Sequence, residues 1–139
     1  MDRKNDQSNT VRATKESWKT SDMPEEKVSL PIDQKYSKKE YNKIKQGFIP
    51  KGMEDRWFIY FEKDKLYLHR SWTGLCVYEL NFIKKNEKYI ISEGYLNAKI
   101  AEQGNIKGLK DEVNTVLSLV EMFLLNEGDH HTDWDMSFL

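Results

Sequence analysis

The chain has 139 residues, of which 38% are hydrophobic and 32% are charged, and its formal net charge is −1. This length suits one domain with a modest core, and a net charge near zero argues against a nucleic-acid-binding protein that depends on overall positive charge. A single cysteine, no apolar run long enough to span a membrane, and a polar beginning without the apolar core of a signal peptide predict a soluble, cytoplasmic protein.

Residues 1–26 are polar and charged, with Trp18 and Met23 supplying most of the bulky apolar surface. Such a segment buries too little surface to offset the entropy lost on ordering. We therefore predict a polar, flexible N-terminal segment over 1–26, in which Trp18 docks locally, followed by a single α+β domain over 27–139. A short extended piece is expected at 28–32, because Pro31 removes a backbone donor and restrains the residue before it.

A helix is predicted to begin at Ser37, where Glu40 three positions later completes a capping box. The helix should run to Gln46 and end at Gly47, which readily adopts the left-handed conformation that terminates helices.

The stretch 56–82 is rich in aromatic residues and reads with the period of a β-strand. Trp57, Ile59 and Phe61 fall on one face of a first strand, and charged residues at 62–65 predict a turn. A second strand to Trp72, a break at Thr73-Gly74 and a third strand over 76–82 complete an antiparallel meander. A fourth strand is predicted over 88–96. In the third strand Cys76 is expected on the face of Leu80, as a small core side chain.

Polar side chains and an indole converge at the end of the second strand, just before the Gly74 turn. Alternation places Arg70 on the face of Leu66 and Leu68, where a guanidinium needs a carboxylate, carbonyls or an anionic ligand. One interpretation is that Arg56 and Arg70 pack their stems on aromatic rings and leave their charged ends in water. The other is an anion- or nucleotide-binding pocket whose candidate ligand-binding residues are Arg56, His69, Arg70, Ser71, Trp72 and Thr73.

The strings GMEDRWFIYFE (52–62) and LYLHRSWTG (66–74) resemble a signature of a family of small, uncharacterised bacterial proteins. The resemblance covers about residues 50–97 and implies no particular activity. Similar segments accompany ADP-ribose-processing domains in larger proteins, so the resemblance also implies an accessory or catalytic role in ADP-ribose or nucleotide processing as one alternative.

A second helix is predicted over 109–125 and should cover the sheet with a continuous apolar stripe of Val113, Val116, Leu117, Val120, Phe123 and Leu124. Residues 111–139 contain seven Asp or Glu and no Lys or Arg. The tail includes His130 and His131, but adjacent histidines do not share a face, and no metal or other cofactor is predicted. Its Trp134 and Phe138 are expected to pack either onto the domain or into a second subunit of a homodimer.

No phosphate-binding loop, nucleophile elbow or zinc motif is present, so whether the protein is an enzyme stays open. The preferred hypothesis is a small α+β binding module that recognises an anionic small molecule, of the nucleotide type, or a protein partner. The alternatives are the nucleotide-processing role and an immunity-type protein that binds its partner through the acidic C-terminal face. A membrane or nucleic-acid partner is not expected.

Overall fold

The structure is a computed structural model that describes residues 12–104 and 108–126. The strands in this part of the chain are β1 (Lys27–Leu30), β2 (Lys35–Tyr36), β3 (Trp57–Glu62), β4 (Lys65–Arg70), β5 (Cys76–Lys85) and β6 (Lys88–Asn97). The helices are α1 (Lys38–Ile44), α2 (Ala98–Glu102) and α3 (Leu109–Val120), which continues as a π-helical turn over Glu121–Leu125; a 3₁₀ turn spans Lys15–Ser17. No helix among these residues is long and apolar enough to cross a membrane.

All strands belong to one antiparallel sheet with the order β1-β6-β5-β4-β3, and β2 pairs with the other half of β6. The predicted α+β class, with an antiparallel meander packed against a C-terminal helix and a shorter N-terminal one, is confirmed. The sheet has two more strands than the four predicted. These are β1 and β2, which are two to four residues long and therefore too short to show a clear alternation.

One face of the sheet forms the main core with α1 and α3. Trp57, Ile59 and Phe61 of β3 point to this face, as alternation predicted, and belong to the same core cluster as the buried residues of α3. The predicted capping box of α1 is present: the Glu40 amide donates to Ser37 Oγ (3.1 Å) and the Ser37 amide donates to Glu40 Oε1 (2.9 Å). The helix is two residues shorter than predicted, because its last turn closes at Lys45 with shorter-range hydrogen bonds.

The other face of the sheet carries a second, smaller apolar cluster of Ala13, Phe58 and Tyr60. Residues 12–26 lie across this face and bond to the loops around it at three points: Ala13 N to Gln46 O (2.8 Å), Trp18 Nε1 to Ser71 O (2.8 Å) and Ser21 N to Gly74 O (2.9 Å). Trp18 also stacks on Phe58, with ring centroids 6.1 Å apart. Trp18 therefore packs against the sheet, and residues 12–26 make further contacts that the polar composition of the segment does not predict.

Two irregularities of the sheet change the predicted phasing. The register shifts at Leu68/His69 and places Cys76 opposite His69. A second shift beyond Asn81 leaves Ser92 as an extra residue in β6. Regular alternation would place Tyr95 on the face of Ile91, but after this bulge Ile91 lies in the main core while the ring of Tyr95 lies under Lys27 Nζ at 4.4 Å. After β6 the chain forms the short helix α2, whose first turn is capped by Asn97.

Candidate functional site

The sheet separates the six predicted site residues. Arg70 pairs in register with Trp57 and is half-buried at the end of β4, while the preceding residue, His69, points to the opposite face. The prediction that His69 would join Arg56 and Arg70 as a donor is therefore wrong. Successive side chains of a strand alternate between faces, so neighbours in sequence need not share a site.

Arg56, Trp57, Arg70 and Trp72 form an arginine–indole cluster at one end of the sheet. The Arg70 guanidinium carbon lies 4.9 Å from the ring centroid of Trp57, and that of Arg56 lies 5.8 Å from the ring centroid of Trp72. Burial lowers the pKa of Arg70, repulsion by Arg56 lowers it further, and Tyr78 opposes these effects. The two arginines thus pack on aromatic rings, as the first interpretation expected, and their like charges lie near each other.

Trp72 is held in position although its side chain faces solvent. It is 65% exposed, and its Nε1–H donates to the Met53 carbonyl at 3.0 Å. Met53 itself is 74% exposed. An indole anchored at its edge keeps its ring orientation without being buried, and it presents a flat apolar surface to any molecule that binds there.

Ser71 and Thr73 shape the turn that carries Trp72. Buried Ser71 donates from Oγ to the Asp55 carbonyl (2.8 Å), and Thr73 Oγ1 accepts from the Leu75 amide (3.2 Å). With Trp72 and Lys19 they line a shallow cavity of about 350 Å³. The N-terminal segment can pass this close because position 74 is glycine: a Cβ there would lie 2.6 Å from the Lys19 carbonyl oxygen.

On the opposite face, His69 lines a different cavity of about 360 Å³, which we call the tyrosine pocket; Tyr60, Tyr67, Lys65, Glu79 and Asp22 also line it. The rings of Tyr60 and Tyr67 stack with centroids 5.1 Å apart, and Tyr60 stacks on His69 at 5.5 Å. Tyr60, Tyr67 and Glu79 were not among the predicted site residues. The sequence does contain one indication of their position. They alternate with core residues along the strands, and this alternation places them on the face of the sheet that the helices leave uncovered.

His69 is neutral in this pocket. It is 1% exposed, and burial lowers its pKa to about 4. Its Nε2 lies 3.1 Å from the Ser21 carbonyl oxygen. Because a carbonyl only accepts, Nε2 carries the hydrogen and Nδ1 keeps a lone pair. That Nδ1 is buried and has no hydrogen-bond partner among the described residues.

Glu79 places a carboxylate in the middle of the sheet. It is 3% exposed, and it pairs with Tyr67 on β4 and Tyr95 on β6. Its Oε1 accepts from Lys27 Nζ at 3.1 Å, whereas Oε2 lies 3.9 Å from Lys65 Nζ and accepts no hydrogen bond from the described residues. Glu79 Oε2 and His69 Nδ1 are thus buried acceptors of the described pocket lining that lack a donor, and leaving such an acceptor unsatisfied costs roughly 1–3 kcal/mol.

Cys76 and His69 are register partners, but the Cys76 thiol donates to the Tyr78 carbonyl, with Sγ 3.6 Å from the oxygen. Burial, with a smaller effect of Glu79, raises the pKa of the Cys76 thiol to about 12. A neutral thiol beside a neutral imidazole lacks the thiolate that nucleophilic catalysis requires. Within 12–104 and 108–126, no group of three or more His, Cys, Asp or Glu could hold a metal ion. The predicted contacts of His130, His131, Trp134 and Phe138 lie outside the described residues.

Comparisons of the chain with known protein families, with curated proteins and with solved structures found no match.

Proposed function

We propose that the protein is a binding module that recognises an anionic small molecule, of the nucleotide type, through Arg56, Arg70 and Trp72. The observation that carries the proposal is the position of the Arg56 guanidinium, 5.8 Å from the centroid of an indole ring that is itself 65% exposed. A positive charge and a flat apolar surface are thereby offered side by side to the same ligand.

The chemistry of the cluster fits a phosphate next to a planar group. A guanidinium presents its donors in a fork that matches phosphate oxygens, and an exposed indole can stack on a base. The effect of Arg56 on the pKa of Arg70 indicates repulsion between the two cations, which a bound anion would reduce. Lys19 lines the shallow cavity together with Trp72 and adds a third positive charge.

Binding is proposed in preference to ADP-ribose or nucleotide processing because His69, the expected acid or base, faces away from the cluster. A protein partner is the second candidate. It is favoured by Met53, which is 74% exposed and adjoins Trp72 through the indole hydrogen bond. Tryptophan, arginine and methionine are enriched at protein interfaces, and tryptophan and arginine often dominate their binding energy.

The proposal is tested by a thermal-unfolding screen of the full chain against ADP, ADP-ribose, AMP and inorganic pyrophosphate. A ligand that binds only the folded state raises the melting temperature as its concentration increases. We expect at least one nucleotide to stabilise the wild type and to lose most of its effect in Arg56→Ala. Lys51→Ala removes the same charge from an exposed position five residues away and should leave the effect largely intact.

Stabilisation that is equal in Arg56→Ala and the wild type would contradict the proposal. If none of the four compounds stabilises the wild type, the small-molecule function is wrong, and the protein-partner candidate is then tested by capture on the wild type compared with Trp72→Ala.

A further inference from the structure

The tyrosine pocket is independent of the arginine–indole cluster. Of the residues that the proposed function uses, none lines it, and it opens on the face of the sheet opposite the main core. Its floor is formed by β3, β4 and β5, and its wall by the segment 12–26, through Lys15, Asp22 and Met23. A volume of about 360 Å³ is within the range of small-molecule sites.

The buried polar groups of the pocket need hydrogen-bond donors. Glu79 Oε2 and His69 Nδ1 both keep a free lone pair, and both belong to residues that are less than 4% exposed. The hydroxyls of Tyr60 and Tyr67 are protonated at neutral pH, as ordinary tyrosines are, and burial raises the pKa of both further. The lining can therefore both accept from and donate to an occupant, and its buried part is richer in unused acceptors.

The charges of the pocket lining balance. Three carboxylates face three ammonium groups around the cavity: Asp22, Glu62 and Glu79 against Lys15, Lys63 and Lys65. A cationic ligand would meet the lysines, and an anionic ligand would meet the buried carboxylate of Glu79. A neutral ligand that carries several hydroxyl groups avoids repulsion by the lysines and by the Glu79 carboxylate. Its hydroxyl groups also supply the hydrogen-bond donors that the two buried acceptors lack.

We propose that the tyrosine pocket binds a neutral, polyhydroxylated small molecule of monosaccharide size, with Glu79 Oε2 accepting from a ligand hydroxyl and Tyr67 bonding to a second one. The apolar C–H face of such a ring suits the tyrosine rings that line the cavity. Lys65 covers the carboxylate oxygen at 3.9 Å, and its side chain is 45% exposed, so a rotation of this flexible chain opens Glu79 to the ligand.

The test is an NMR titration of the isotopically labelled full chain with D-glucose, D-galactose and myo-inositol at millimolar concentrations. At least one of the three should give saturable shifts of the Tyr67 and Glu79 amides and of the His69 ring nitrogens. Tyr67→Phe removes one hydroxyl and should weaken binding about fivefold, the effect of one neutral hydrogen bond.

Two control variants locate the site. Tyr95→Phe removes a hydroxyl from the other neighbour of Glu79, outside the pocket, and should leave the dissociation constant unchanged. Arg56→Ala should do the same, which separates this site from the arginine–indole cluster. The proposal is overturned if none of the three compounds gives saturable shifts, if the shifts map elsewhere, or if Tyr67→Phe binds as tightly as the wild type.

Discussion

His69 is kept neutral by burial, and this makes the stability of the protein depend on pH. Its pKa of about 4 lies below the ordinary value of 6.5, because burial outweighs the hydrogen bond to Ser21 and the attraction of Asp22, while Lys15 adds to the lowering. Between these two pH values the unfolded chain binds more protons than the folded one. The free energy of unfolding therefore falls as the pH decreases through this window.

The expected loss between pH 7 and pH 4 is up to about 3 kcal/mol from this residue. It is measured by urea denaturation of the wild type and of His69→Gln across this range. The variant lacks the titrating group, so its unfolding free energy should fall less steeply, the remaining slope coming from carboxylates. Parallel curves for the two proteins would show that His69 titrates normally in the folded state.

The connection between α1 and β3 depends on one backbone conformation at Gly47. Its φ is +70°, and a Cβ at this position would lie 2.3 Å from the Ile59 carbonyl oxygen and 2.8 Å from the Ala13 Cβ. The same close approach allows the Phe48–Ile59 bridge and brings residue 13 of the N-terminal segment against β3. A larger residue would therefore disturb both the edge of the sheet and the segment that covers it.

Gly47→Ala should lower the free energy of unfolding by at least about 3 kcal/mol, since steric overlap adds to the left-handed strain. Gly104→Ala is a matched control, because its φ is +71° but no atom of residues 12–104 or 108–126 lies within 4 Å of the added Cβ. Gly104→Ala should lower the free energy of unfolding by only about 1 kcal/mol. The two variants are compared by chemical denaturation. Equal decreases in the free energy of unfolding would show that a Cβ at position 47 does not clash with the Ile59 carbonyl, and would contradict this account.

The segment 12–26 is fixed to the sheet mainly by Trp18. Its indole is partly buried, stacks on Phe58 and donates to the Ser71 carbonyl at 2.8 Å. Trp18→Ala should therefore lower the free energy of unfolding by about 2–3 kcal/mol and should expose residues 12–26 to limited proteolysis. Trp72→Ala removes the same side chain from an exposed site and should cost less than about 1 kcal/mol. Similar losses for the two variants would contradict this assignment.

The regular elements could be predicted from sequence because their signals are local. The capping box of Ser37 and Glu40 and the apolar stripe of α3 depend only on residues within one or two turns. The exact positions of the two irregularities of the sheet could not be predicted, because the place of a bulge depends on how two strands pair. One extra residue, Ser92, was enough to move Tyr95 to the other face.

At the scale of the whole molecule, the sheet divides the chain into two surfaces with different chemistry. The arginine–indole cluster could be predicted in part, because Arg56, Arg70 and Trp72 lie at corresponding ends of adjacent strands. The tyrosine pocket could not, because its wall comes from Lys15 and Asp22, more than 40 residues before β4 in the chain. No periodicity of the sequence indicates where a polar segment docks.

The central claim, that Arg56 and Trp72 together recognise an anionic ligand, is tested most directly by observing these two side chains during a titration. In the NMR spectrum of the labelled full chain, the indole N–H of Trp72 is assigned by comparison with Trp72→Phe. We predict that ADP shifts this resonance and the Arg56 side-chain resonance together and saturably, that added salt weakens the binding, and that Arg56→Gln abolishes it. Saturable ADP binding that leaves both resonances unmoved, or no binding at all, would contradict the claim.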